Sequence, residues 1–134
     1  MGDTRVLIVV GSQSDEARVE SAFKVLDEAG VAYDFVVSSA HRDPDKTAQI
    51  AKEAKGKGYE VIIAGAGLAA ALPGAVAALT DVPVIGIPLD VGPLRGVDAL
   101  YAMTQLPPGC PVATVGIGNA KNAALLALRI LGTY

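Results

Sequence analysis

A chain of 134 residues is the size of one domain with a single substantial core, and residues 1–134 read as one domain without a composition break. Its 14 Asp and Glu outnumber 11 Lys and Arg, and the net charge of −3 excludes a broad field for nucleic acid or an anionic membrane. The lone Cys110 excludes a disulfide framework, and with one histidine far from it leaves no zinc-type ligand spacing.

Met1-Gly2-Asp3-Thr4-Arg5 leads straight into a strand pattern, so no signal peptide is expected. No apolar run reaches membrane-spanning length without Gly or Pro, and a cytoplasmic location is the expectation. Hydrophobic residues make up 51% of the chain and the mean hydropathy is +0.43. That surplus is large for a small domain with much surface to cover, and it predicts association with copies of the same chain.

Val6-Leu7-Ile8-Val9-Val10 is a continuous apolar run, as in a central parallel strand covered on both faces. Gly11-Ser12-Gln13-Ser14-Asp15 follows and enters a helix whose apolar stripe is Val19, Ala22, Phe23, Leu26 and Ala29, ended by Gly30. Residues 32–37 make a second strand. Asp43 N-caps the next helix, with Pro44 at its first position, and Gly56 and Gly58 stop it. Residues 61–64 are a third buried strand, 65–74 a small-residue loop and 75–79 a helix. A fourth strand over 83–87 and a helix over 97–105 precede the rigid connector Leu106-Pro107-Pro108-Gly109 and a fifth strand over 112–117. The last helix starts at Asn119 and runs through Leu131; apolar around most of its circumference, it reads as an interface. Strand and helix alternating five times predict an α/β fold: a flavodoxin-like, doubly wound, parallel five-stranded sheet in three αβα layers.

Such sheets bind ligands beyond the carboxyl ends of their strands, which singles out three loops. Ser38-Ser39-Ala40-His41-Arg42 holds the only histidine. His41 is the one side chain whose unperturbed pKa lies near neutrality, and Arg42 beside it is a permanent planar cation suited to a phosphate or carboxylate. The bland alternative is a solvated loop histidine next to a surface arginine. In the first loop, Gly11 permits close backbone approach while Ser12 and Ser14 offer hydroxyls beside a helix N-terminus, a phosphate cradle with Asp15 on ribose hydroxyls. Ser12-x-x-Asp15 equally fits a structural capping box. The Lys-Ser/Thr of a P-loop is absent. Gly65-Ala66-Gly67-Leu68-Ala69-Ala70 matches G-x-G-x-x-A, with Asp90 near the distance of a ribose-binding acid. Leu72-Pro73-Gly74, however, is expected to interrupt the helix that would receive a pyrophosphate, and close backbone packing accounts for the small residues as well.

Read in order, Gly11-Ser12-Gln13-Ser14-Asp15, Ser39-Ala40-His41-Arg42 and Gly65-Ala66-Gly67-Leu68-Ala69-Ala70-Ala71-Leu72-Pro73-Gly74 resemble the PurE family, N5-carboxyaminoimidazole ribonucleotide mutases of purine biosynthesis. Gly96-Val97-Asp98-Ala99-Leu100, Gln105-Leu106-Pro107, Pro111-Val112-Ala113-Thr114-Val115 and Asn122-Ala123-Ala124-Leu125-Leu126-Ala127 extend the resemblance over nearly the whole chain. It implies a class I isomerase acting on a small-molecule ribonucleotide. The carboxylate moves from N5 to C4 by decarboxylation and recarboxylation with trapped CO2, without metal, ATP or other cofactor. It also implies a cytoplasmic homo-octamer with a flavodoxin-like core. His41 would be the general acid and base, and Ser12, Asp15 and Arg42 would hold the ribose phosphate. Gly65, Ala66, Gly67 and Ala70 would wall the base and carboxylate pocket, with Ser14, Ser39, Ala40, Ala71 and Leu72 completing the substrate contacts.

Ala71 stands where family members usually carry a second histidine before Leu-Pro-Gly; Leu68 replaces a common Gly, and Leu106 the methionine of Gln-Met-Pro. Two rival readings stay open. One is an octameric scaffold of the same family, catalytically impaired or engineered; the other is a dinucleotide-binding enzyme.

Overall fold

The apolar runs become parallel strands of one sheet: β1 (Val6–Val10), β2 (Tyr33–Val37), β3 (Val61–Ala66), β4 (Val84–Pro88) and β5 (Ala113–Thr114). A computed structural model describes residues 4–134; residues 1–3, read above as lacking a signal peptide, lie outside the described residues. The strand order is β2-β1-β3-β4-β5, the flavodoxin-like order, with the change of winding direction between β1 and β3. Val10 pairs with Val37 on one side and Gly65 on the other, so the carboxyl ends of β1, β2 and β3 finish almost level. The loops that leave them therefore meet.

Helices cover both faces: α1 (Glu20–Glu28), α2 (Pro44–Glu53), α3 (Leu72–Ala77), α4 (Val97–Thr104) and α5 (Ala120–Leu131). Alternate strand residues point to opposite sides. Val6, Ile8, Val10, Ile63 and Ile85 pack with α1 and α5, through Leu26, Ala123 and Ala127 among others. Leu7, Val9, Ile62, Ala64 and Val84 pack with α2, α3 and α4, through Ala51, Val76 and Met103. Each Val, Leu, Ile or Met among them, fully buried, is worth about 1.5–3 kcal/mol of transfer free energy. Two covered faces explain why the strands read as unbroken apolar runs.

The structure differs from the sequence expectation at the starts of two helices and at the edge strand. Residues 13–15 and 17–19 wind as tight 3-10 turns, and the α-helix begins only at Glu20. Helix α3 begins at Leu72 rather than residue 75, because Pro73 fits a first turn where its missing N–H is not needed. Its first i→i−4 bond runs from the Ala75 N–H to the Ala71 carbonyl (2.9 Å), so Leu72-Pro73-Gly74 opens this helix instead of breaking it. Strand β5 pairs only over Ala113–Thr114, although the chain stays beside β4: the Val115 N–H reaches the Gly86 carbonyl (3.1 Å) and the Gly118 N–H the Pro88 carbonyl (2.7 Å). Helix α5 turns Ala120, Ala123, Ala124, Ala127 and Leu128 to the chain's own core and leaves Leu125 and Ile130 exposed on its outer side.

Candidate active site

A cavity of about 460 Å³ opens beyond the carboxyl ends of β1, β2 and β3. Ser12, Ser14 and Asp15 reach it from the loop after β1, and Ser39, Ala40, His41 and Arg42 from the loop after β2. Ala66, Gly67, Ala70, Ala71 and Leu72 close it from the third side. Of the residues that the family resemblance places at the substrate, Gly65 alone stays off the wall. It lies inside β3, where an added Cβ would come 3.4 Å from the side chains of Val10 and Val19, so its small size serves core packing. Gly11, Leu68, Ala69 and Val91 complete the lining.

The loop after β1 forms its cap and lines the cavity with the same residues. Ser12 Oγ accepts from the Ser14 N–H (3.4 Å) and pairs with Ser14 Oγ (3.0 Å). Asp15 is only 8% exposed, and burial pushes its carboxyl above the ordinary aspartate value; Arg18 and a hydrogen bond from the Ser12 backbone pull the other way. Arg18 Nε lies 3.6 Å from Asp15 Oδ1, and Arg18 Nη1 donates to the Asp90 carbonyl at 3.2 Å. This arginine thus ties the loop after β1 to the exit of β4, next to Val91. Its spacing of three from Asp15 is the one sequence signal for this pairing. Asp90 itself, the acid that a dinucleotide pattern would use, is not part of the cavity lining.

After β2 the Ser38 N–H extends the ladder to the Val10 carbonyl (2.8 Å). The chain then turns on itself: Ser39 Oγ accepts from the Arg42 N–H (3.0 Å), and the Ser39 carbonyl accepts from the Asp43 N–H (2.9 Å). His41 and Arg42 stand exposed on this turn at the cavity rim. Asp43 caps α2 as expected, its Oδ1 accepting from the Lys46 N–H (3.3 Å).

After β3 the backbone is strained. Leu68 and Ala70 adopt φ of +55° and +44°, left-handed conformations that cost non-glycine residues about 1–3 kcal/mol each. The Ala70 N–H closes the turn on the Gly67 carbonyl (3.0 Å). The wall is therefore small, tightly wound and largely apolar, facing one imidazole, one guanidinium, two hydroxyls of the first loop and a carboxylate. Such a site can anchor an anion on one side and move a proton beside a dry wall on the other. Among the described residues no three His, Cys, Asp or Glu side chains gather as a metal site.

Comparison with known proteins bears on what such a cavity is for. Residues 5–134 match the family model described as AIR carboxylase. The chain is 54% identical over 125 residues to the N5-carboxyaminoimidazole ribonucleotide mutase of Pyrococcus horikoshii, covering 93% of this chain and 71% of that protein. It is 52% identical over 128 residues to the mutase of the same name from Thermotoga maritima, covering 96% of this chain and 75% of that one. The crystal structure of Treponema denticola PurE superposes with a TM-score of 0.85 at 32% identity, over 96% of this chain and 80% of that chain.

Proposed function

The chain belongs to the AIR carboxylase family, and on that premise we propose that it is an N5-carboxyaminoimidazole ribonucleotide mutase of purine biosynthesis. It moves the carboxylate of the substrate from N5 to C4, giving 4-carboxy-5-aminoimidazole ribonucleotide.

The observation that carries this reading is the meeting of His41 with three loops around one cavity. Protonated His41 gives its proton to N5 as the N5–carboxylate bond breaks; the bonding pair stays on nitrogen and CO2 leaves. C4 of the aminoimidazole, made nucleophilic by the amino group, attacks the CO2 carbon and forms the new C–C bond. The now neutral imidazole removes the C4 proton, which restores the ring's aromaticity and returns His41 to its starting state. Such acid–base assistance is worth about 10²–10⁴-fold. Arg42 with Ser12, Ser14 and Asp15 holds the ribose phosphate end, and Ser39 and Ala40 shape the turn beside it. Ala66, Gly67, Ala70, Ala71 and Leu72 keep CO2 against the ring and water away from it. Ala71 offers this wall only a methyl group, so both proton steps fall to His41. Gly65, one residue inside the strand, supports the wall from behind.

Residues 1–134 act as one domain in a cytoplasmic homo-octamer. Support for assembly comes from the apolar surface left on α4 and its lead-in: Leu94, Val97 and Tyr101 are 58%, 43% and 63% exposed, with Ile117 also exposed. Among the described residues no helix is long and apolar enough to cross a membrane.

The test is turnover of N5-carboxyaminoimidazole ribonucleotide by the parent chain and by His41→Asn. Conversion by the parent, with kcat about 10²–10⁴-fold lower in the folded variant, is expected. Equal activity in His41→Asn, or none in the parent, overturns the reading. Light scattering that reports a monomer at micromolar concentration overturns the assembly.

A further inference from the structure

Beneath the turn that carries His41 lies a pair of hydroxyls fully withdrawn from water. Ser38 and Thr47 are 2% and 3% exposed, and Ser38 Oγ lies 2.7 Å from Thr47 Oγ1. Thr47 Oγ1 also donates to the Asp43 carbonyl at 3.2 Å. A hydroxyl has one proton to give. With that of Thr47 directed at Asp43, the proton between the two hydroxyls must come from Ser38. The bonds therefore run one way, from Ser38 to Thr47 to the Asp43 carbonyl.

The ends of this chain of bonds matter. Ser38 is the last residue before the His41 turn and is fixed to the sheet through the Val10 carbonyl (2.8 Å); Asp43 is the first residue after it and caps α2. Thr47, one turn inside α2, thus draws both ends of the segment 39–42 onto one buried point. Lys46 adds a second tie across the same neck, its Nζ donating to the Val37 carbonyl at 2.8 Å. Neither hydroxyl lines the cavity. A buried side-chain hydroxyl costs stability unless it is paired, so a Ser–Thr pair here is a poor choice for packing alone. Its effect is directional, whereas an apolar pair would fill the space without fixing the turn.

We propose that Ser38 and Thr47 are positioning residues, which set the height and orientation of His41 over the reacting ring. The inference rests on His41 being the proton carrier proposed above.

Saturation kinetics on the mutase substrate, with thermal midpoints, test it in Thr47→Val, Thr47→Ser and the double variant Ser38→Ala/Thr47→Val. Thr47→Val keeps the shape, loses the donor and strands the Ser38 hydroxyl. Its kcat is expected to fall about 10- to 100-fold, the range that a misplaced reacting group produces. Thr47→Ser restores kcat. The double variant leaves no hydroxyl unpaired, so its midpoint returns toward the parent's while kcat stays low; a purely structural role would let the two recover together. A kcat within about twofold of the parent in folded Thr47→Val and in the double variant overturns the proposal. Should the parent lack turnover, the mutase reading fails and the positioning claim is decided separately. The single histidine gives one imidazole Cε1–H signal in NMR. That signal is expected to shift or broaden in Thr47→Val and to recover in Thr47→Ser; an unchanged signal overturns the claim.

Discussion

Gly67 and Val91 meet with no room for a side chain between them: a Cβ on Gly67 would lie 2.8 Å from both Cβ and Cγ2 of Val91. Val91 is in turn drawn back toward the strand by its N–H bond to the Leu89 carbonyl (2.9 Å). The loop after β3 and the exit of β4 are thus pressed together at the cavity, and the left-handed residues Leu68 and Ala70 follow directly from that contact point. A glycine here lets the loop after β3 press against Val91, which holds its strained turn from outside.

Gly67→Ala should therefore separate the two segments. Overpacking of this kind costs about 1–3 kcal/mol, read as a lowered denaturation midpoint. Because the displaced segment is the cavity wall, kcat/KM for the mutase reaction should fall as well. Combining the change with Val91→Gly, which removes both close atoms, is expected to return part of the loss. A Gly67→Ala protein with parental stability and kcat/KM would show that the contact has no part in shaping the site.

Arg18→Met separates a bridging role from a packing role. Methionine keeps most of the aliphatic stem but loses the link from Asp15 to the Asp90 carbonyl. Arg18 is exposed, so stability should change by less than about 1 kcal/mol. Asp15 would be left to find its own orientation, and KM is expected to rise about fivefold, the equivalent of roughly 1 kcal/mol of lost positioning. Steady-state kinetics at fixed ionic strength decide it; an unchanged KM would detach Arg18 from substrate binding.

Residues whose physics is local were legible in the sequence. β1 begins and ends where the apolar run does, since a strand covered on both faces admits no polar residue. The Asp43-Pro44 start of α2 was equally plain, because a cap and a fixed φ are properties of those two residues themselves. Where the chain depends on a distant partner the sequence is mute. The two-residue pairing of β5 depends on the path of the edge chain beside β4, and only the bond from the Ala75 N–H to the Ala71 carbonyl shows that Pro73 opens α3. At the cavity the same division holds. Ser12, Asp15, His41 and Arg42 announce themselves by chemistry at strand ends, whereas Val91 and Leu68 line the wall as apolar residues with no signature. Gly65 bore the right residue type one position too early, and only strand register shows that it faces the core.

Tyr59 offers a test of the fold away from the cavity. Its hydroxyl donates to the Asp34 carboxylate on β2. Burial, that hydrogen bond and the carboxylate's charge all disfavour the phenolate, and the phenol is pushed up to about 12 from an ordinary 10.0. The folded state keeps this proton where the unfolded chain has lost it. Stability from the pair is thus complete below pH 10 and is lost as pH rises toward 12. Burial and Asp27 raise Tyr33 as well, so tyrosinate absorbance should show a late-titrating class among the 4 tyrosines that loses one member in Tyr59→Phe. The stability of the variant should also fall less steeply over the same window; parallel slopes would remove the Tyr59–Asp34 bond from the account.

Asp15 places function and stability in opposition. Burial raises its carboxyl above the usual 3.8, and this outweighs the help of Arg18 and the Ser12 backbone. The charged form is therefore the costly one in the folded protein. Below pH 3.8 the group is protonated in both states and contributes no penalty. As pH rises through 3.8 the unfolded chain ionises first, and the penalty is complete once the folded carboxyl has ionised as well. Asp15→Asn does not titrate, so its thermal midpoint minus that of the parent should grow from low pH to neutrality and then level off. On the role proposed for Asp15, the same variant also loses a charged acceptor for the ribose phosphate end of the substrate. Hydrogen bonds to charged groups are worth about 1.5–3 kcal/mol, which sets the expected fall in kcat/KM at about 10- to 100-fold. A midpoint difference that does not change with pH would mean that the carboxylate is as well solvated in the fold as outside it. Full activity in the variant would take Asp15 out of the substrate's reach.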